Sequence, residues 1–202
     1  TRHPALVITK SSLIERDVDL LADLARDDLV TATITITTLD HALARRLEPR
    51  ATSPARRLRT LETLARAGIP TRLSLSPIIP ALNEPEIETI VARAALAGAR
   101  EANAIMLRLP HELGTLFEEW LAEHYPDRAA RVMKAIRSIR EGRTNDADFG
   151  SRMLGSGPRA AIIRRRFELA CRRSGIACGR RPVELDVGRF RPPTLGGQLP
   201  LF

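Results

Sequence analysis

Short apolar runs alternate with longer segments of helical periodicity through the first half of the chain, and this alternation constrains the fold more than any other feature. Strand-like runs occupy Ala5–Thr9, Thr31–Thr37, Thr71–Ser76 and Ala104–Leu109, with helical patterns over Leu13–Arg26, Ser53–Ala67 and Glu84–Ala97 between them. Ser53 followed by Pro54 reads as a helix start, because Pro at the first helical position forfeits only an N–H that would be unpaired anyway. Asn83 with Glu86 three residues on resembles a capping box. Gly68 and Gly98 stand where a helix C-terminus needs a left-handed residue. Strand–helix–strand repeats joined by such short connections predict an α/β fold of parallel strands with crossover helices.

The strands carry a second signal. Fully covered parallel strands read as continuously apolar, whereas here an apolar row alternates with a polar one. Ile34 and Ile36 alternate with Thr33, Thr35 and Thr37, and Leu73 and Leu75 with Arg72, Ser74 and Ser76. Ile105, Leu107 and Leu109 alternate with Met106 and Arg108. Successive side chains point to opposite faces of a sheet. Helices are therefore expected over the aliphatic row, and a wet hollow along the hydroxyl and guanidinium row. The competing explanation is that Thr suits strands and the polar row merely faces solvent.

Past His111 the pattern becomes helical. Glu112–Ala122 and Asp127–Arg140 read as amphipathic helices sharing a seam of Trp120, Leu121, Val132, Ile136 and Ile139. A polar loop over Glu141–Gly157 leads to a basic helix at Arg159–Arg173, and the Pro- and Gly-rich stretch from Arg180 to Phe202 is expected to be disordered. The expected division is a barrel part at 1–115, a helical extension at 116–179 and a flexible tail at 180–202.

Composition excludes some classes and leaves others open. No apolar run in the 202 residues approaches the ~20 that a spanning helix needs. The opening Thr1-Arg2-His3-Pro4 is not a signal peptide, and with no initiator Met it suggests a longer protein that has lost its N-terminal part. The net charge is +8, and all 32 basic residues except Lys10 and Lys134 are Arg. Arg grips phosphate bidentately, which suits an anionic partner; a genome rich in G and C would give the same bias. Cys171 and Cys178 build neither a zinc site nor a disulfide framework and read as inert thiols of a reducing, cytoplasmic compartment. With aromatics at 3%, stacking platforms for single-stranded nucleic acid are not expected.

Ligands of parallel α/β sheets bind beyond the carboxyl ends of the strands. Those ends are Thr9-Lys10-Ser11, Thr37-Thr38-Leu39-Asp40, Ser76-Pro77-Ile78-Ile79-Pro80 and Arg108-Leu109-Pro110-His111. They offer cations and hydroxyls, suited to a carboxylate and a ribose, without an obvious nucleophile–base pair. Lys10 is the candidate carboxylate ligand. His111 is placed to act, while His41, His124 and the Glu118-Glu119 pair read as surface. The runs Arg164-Arg165-Arg166 and Arg172-Arg173 could neutralise phosphates, or could form the solvated face of a packed helix.

Taken in order, Val7–Ser11, Thr35–Asp40 with Arg46–Arg50, Pro77–Glu84, Leu107–His111 and Asn145–Met153 resemble the radical SAM proteins related to spore photoproduct lyase, the DNA repair photolyase-like group. The resemblance runs from about residue 4 to residue 175. It implies a partial (β/α) barrel that binds S-adenosylmethionine beside a [4Fe–4S] cluster and generates a 5′-deoxyadenosyl radical, with DNA as the candidate substrate. Residue by residue it assigns cofactor contacts to Lys10, to Thr35 and Thr37, to Pro77, Ile78, Ile79 and Asn83, and to Arg108 in the Leu107–Leu109 segment. One departure is large: the CxxxCxxC loop that holds the family's cluster is absent. The expectation is a C-terminal portion of such a barrel, inactive by itself, whose cluster ligands lie outside this chain. Gln198, Leu199, Leu201 and Phe202 resemble the short peptide by which DNA-repair proteins dock on the sliding clamp. The alternative function is a non-enzymatic basic module that binds nucleic acid or the clamp.

Overall fold

A computed structural model of the chain describes residues 1–149, 151–179 and 184–192. The clamp-like residues Gln198, Leu199, Leu201 and Phe202 fall outside these. The expected α/β class holds: five strands, β1 (Ala5–Thr9), β2 (Val30–Thr35), β3 (Thr71–Ile78), β4 (Glu101–Met106) and β5 (Ala177–Cys178), form one sheet in sequence order with every pairing parallel. Among the described residues seven α-helices connect and flank them: α1 (Val18–Arg26), α2 (His41–Leu47), α3 (Pro54–Arg66), α4 (Ile87–Leu96), α5 (Leu113–His124), α6 (Pro126–Ser138) and α7 (Gly157–Arg173). The segments read as single helices at Leu13–Arg26 and Glu84–Ala97 each begin with a 3-10 turn, at Ser12–Asp17 and Glu84–Glu86.

The aliphatic rows of the strands do what their period requires. Val30, Ala32, Ile34 and Ile36 of the second strand and its exit, with Leu73, Leu75 and Ile78 of β3, are buried against Leu58, Leu61 and Leu64 of α3, Ile87, Ile90 and Val91 of α4, and Ile163 and Phe167 of α7. Each fully buried aliphatic side chain contributes about 1.5–3 kcal/mol of transfer free energy, so this face is the main source of cohesion. A second core joins Leu43 of α2, Ile79 and Leu82 after β3, and Leu109 to Phe117 and Leu121 of α5 and Val132, Met133 and Ile136 of α6. The stretch 116–179 is thus shared between two cores, since α7 belongs to the first and α5 and α6 to the second. Of the expected α5–α6 seam, Ile139 alone joins the main core.

The fourth strand differs from expectation. Ala102 and Met106 join the core packed against the helices, while Asn103 and Ile105 line the opposite face, whose rim Met106 also reaches. The expected row Ile105–Leu107–Leu109 is not a continuous core row. Pairing of β3 with β4 shifts between Leu75 and Ile78, and β4 ends at Met106. An irregularity re-aims the side chains beyond it. Leu109 then enters the second core rather than the first.

The helix ends follow the turn chemistry. Gly68 and Gly98 have φ of +80° and +101°, conformations that L-residues resist. The expected capping box does not form. Asn83 makes no side-chain cap bond, and Glu86 instead accepts from the Thr38 hydroxyl and the Leu39 amide.

Candidate functional site

The face of the sheet opposite the helices lines a hollow of about 630 Å³. Strand register explains its composition. Thr33 of β2 lies beside Arg72 of β3, and Thr35 beside Ser74, which in turn neighbours Asn103 of β4. Even-spaced residues point the same way, so these hydroxyls, the amide and the guanidinium share one surface with Lys10 at the end of β1 and Ser76 at the end of β3. A hydrogen-bonded file crosses its floor: Asn103 Nδ2 donates to Ser74 Oγ at 3.4 Å, which is 3.1 Å from Ser76 Oγ. The outer wall at β1 is apolar, with Leu6 56% and Ile8 68% exposed. Pro77, Leu107, Arg108 and Met153 close the far side.

Lys10 sits at the rim but is not alone there. Glu48, in the turn after α2, accepts hydrogen bonds from Lys10 Nζ, from the Thr37 hydroxyl at 2.9 Å and from Arg57 Nη2 at 2.6 Å. The Arg57 side chain is 2% exposed, and its other donors reach the carbonyls of Thr52 at 2.6 Å and Thr35 at 3.1 Å. Burial alone would raise the Glu48 pKa, but the hydrogen bonds and charges of Lys10 and Arg57 outweigh it and hold the carboxyl below its ordinary range. Glu48 therefore stays ionised and anchors the carboxyl ends of the first two strands. An ammonium has three donors; one is committed to Glu48.

The residues that the resemblance selects separate into two groups. Lys10, Thr35, Pro77 and Arg108 line the hollow together. Thr37, Ile78, Ile79 and Asn83 stand behind its rim and do not line it. Thr37 spends its hydroxyl on Glu48 and on the Ser76 carbonyl at 3.0 Å. Ile78 and Ile79 are core residues, 1% and 0% exposed. Asn83, 2% exposed, clips two strand exits together. Its Oδ1 accepts from the Ile79 amide at 2.7 Å, and its Nδ2 donates to the carbonyls of Thr37 at 2.8 Å and Pro77 at 3.0 Å. Glu48, Arg57 and Arg140 escaped sequence reading. A lone Glu in Arg46-Leu47-Glu48-Pro49-Arg50 looks solvated, and only the fold brings Lys10, 38 positions away, and the buried Arg57 to it.

His111 is exposed with φ of +51°, and His41 is also exposed. The basic helix α7 spends most of its charge internally. Arg166 pairs with Glu84 and Glu88 of the preceding segment and α4, Arg159 with Glu84, and Arg165 with Glu168. Arg164 donates to the carbonyls of Leu154 and Gly155, leaving Arg172 and Arg173 exposed.

The described residues do not fit a [4Fe–4S] cluster. No group of three or more His, Cys, Asp or Glu among the described residues is arranged to hold a metal. Cys171 is sealed in the core beside Cys178, and burial pushes its thiol pKa up, away from the thiolate a metal requires. The lining of the hollow carries cations at Lys10, Arg72 and Arg108 and hydroxyls at Thr33, Thr35, Ser74 and Ser76, with no acidic side chain among the described residues. Among the described residues no helix is long and apolar enough to cross a membrane.

Comparison with known proteins gives distant relatives. The chain is 26% identical over 136 residues to an uncharacterized protein of Mycobacterium tuberculosis, covering 66% of this chain and 40% of that protein; the same figures hold for one of Mycobacterium bovis. It is 30% identical over 118 residues to an uncharacterized protein of Acidianus two-tailed virus, covering 56% of this chain and 38% of the viral one. No family model matches the chain. The matched segment spans about two fifths of the length of these relatives.

Proposed function

We propose that the chain supplies the S-adenosylmethionine-holding wall of a radical SAM enzyme of the photoproduct-lyase-like group, the C-terminal portion of a partial (β/α) barrel, with DNA as the candidate substrate. The observation that carries the reading is the hydroxyl- and cation-bearing hollow along one face of an all-parallel sheet, whose lining includes Lys10 and Arg108 just past the carboxyl ends of β1 and β4, the end where such sheets place ligands. Radical hydrogen-atom abstraction is the chemistry that bound S-adenosylmethionine supplies in such enzymes. The cluster's ligands would lie outside these residues, and this chain's part is to bind and orient.

In this reading the Lys10 donors not taken by Glu48 pair with the cofactor's carboxylate. Thr35 and the Ser74–Ser76 file bond the ribose hydroxyls. Pro77 provides a flat apolar wall, and Asn83 holds that wall in place from behind. Leu6 and Ile8 give the hollow an apolar wall along β1. The relatives' greater length agrees with a site completed by further chain. The clamp contact of Gln198–Phe202 and the basic DNA-binding module are secondary readings, and the ion pairs of α7 do not favour the latter.

The test uses the polypeptide of the complete reading frame, reconstituted anaerobically with iron and sulfide. It should cleave S-adenosylmethionine to 5′-deoxyadenosine and methionine when reduced. Lys10→Ala should bind the cofactor roughly tenfold more weakly, a loss of about 1.4 kcal/mol. Absence of cleavage with a full cluster complement, or unchanged affinity in the variant, refutes the reading.

A further inference from the structure

The cations of the hollow are not equivalent. Lys10 is paired with Glu48 and Arg72 with Glu101. Arg108, on the opposite wall, has no ion pair among the described residues, and its Nε is buried without an acceptor. Behind it stands Arg140, 1% exposed. Arg140 Nη2 donates to the carbonyls of Met106 at 3.4 Å and Leu107 at 2.9 Å, the two residues preceding Arg108. Its Nε and Nη1 have no acceptor. Burial pushes the Arg140 pKa below its ordinary value; Asp146 opposes that effect and Arg108 adds to it. Asp146 makes no ion pair with Arg140 among the described residues; its carboxylate is engaged by the Ser151 hydroxyl at 2.6 Å.

Two neighbouring guanidinium groups with three buried nitrogens lacking an acceptor leave one local excess of positive charge. A buried charge persists when something compensates it, and here Asp146 offsets only part of the two charges, with no ion pair to Arg140 among the described residues. A carboxylate would offer two oxygens and one charge, whereas a phosphoryl group offers three or more acceptors and suits the guanidinium fork. Lys10 and Arg108 are three strand spacings apart in the sheet order, up to roughly 14 Å. Lys10 is already paired with Glu48, which leaves Arg108 as the anion position on its own wall. We infer that Arg108, with Arg140 behind it, forms a phosphoryl subsite on the β4 wall of the hollow, which receives a phosphate carried by the substrate. This gives Arg108 a role other than the cofactor contact that the resemblance implies, and it stands independently of whether S-adenosylmethionine binds at Lys10.

The experiment labels the arginines with 15N and follows their Nε–H resonances while the full chain is titrated with cytidine 5′-monophosphate, cytidine, the dinucleotide CpC and inorganic phosphate. Saturable shifts at Arg108 with the phosphorylated ligands and not with cytidine are expected. Arg108→Gln should weaken the nucleotide roughly tenfold to a hundredfold, as for loss of a charge-assisted bond, with the spectrum otherwise that of the folded chain. Arg108→Lys should retain part of the affinity. A response to the monophosphate that exceeds that to CpC assigns the site to terminal phosphates, and the reverse assigns it to phosphodiesters; either supports the subsite. Equal binding of cytidine and its monophosphate, binding of inorganic phosphate alone, or full affinity in Arg108→Gln overturns it.

Discussion

Replacing Glu48 by Gln removes the one charge that Lys10 and Arg57 share. The Arg57 side chain is 2% exposed and that of Glu48 12%, so the guanidinium would be left buried against two carbonyls and a neutral amide. Removing one partner of a buried pair typically costs about 3–5 kcal/mol. Gln keeps an acceptor oxygen but turns an NH2 toward one of two cations, which sets the expectation near the low end, about 3 kcal/mol. For a chain of this size that corresponds to a fall in Tm of about 6–12 °C. Urea denaturation and thermal melts followed by circular dichroism measure both.

The pH dependence provides a sharper check. Folded Glu48 holds its proton less tightly than the unfolded chain does, because its pKa lies below the ordinary 4.5. Its stabilisation is therefore complete above that value and fades as pH falls through the folded pKa. The gap between wild type and Glu48→Gln should be widest near neutral pH and narrow in acid. A loss under about 1 kcal/mol at neutral pH, or a gap as wide at about pH 3 as at about pH 7, would refute the assignment of Glu48 as an ionised anchor.

Asn83→Ala strips acceptors and donors from the Ile79 amide and the Thr37 and Pro77 carbonyls; at about 1–3 kcal/mol per orphaned buried group, a loss near 3 kcal/mol in urea denaturation is expected, and one under about 1 would show that the clip is dispensable. Gly98→Ala places a Cβ 2.5 Å from Ala65 Cβ at φ +101°, whereas Gly68→Ala meets nothing within 4 Å at φ +80°. Both incur about 1 kcal/mol of left-handed strain, but only Gly98→Ala adds a clash between α3 and the α4 exit. Its loss in parallel melts should clearly exceed that of Gly68→Ala, and equal losses would contradict the packing described.

Much of the fold was legible because its signals are local. The Ala5–Thr9 strand, the Pro54 helix start and the left-handed Gly68 and Gly98 each depend on residues within a few positions. The hydroxyl rows of β2 and β3 were also readable, since period-two alternation fixes a face once the other face is apolar. Reading failed at Ile105 and Met106, where the apolar pattern is continuous and an irregular register chooses the face. It failed again at Asn83, whose spacing from Glu86 imitates a cap while its amide finds three backbone groups of two strand exits.

From the residues alone came the α/β class, the parallel order implied by short strand–helix connections, and a polar strand face with Lys10 at one end. Tertiary structure decided which charges are satisfied. Glu48 reaches Lys10 from 38 positions away, and Arg140 comes to lie under Met106 and Leu107, 34 and 33 positions from them. Such pairings depend on how the strands register and where α2 and α6 dock. Those are properties of the assembled core, and no periodicity within a single segment encodes them.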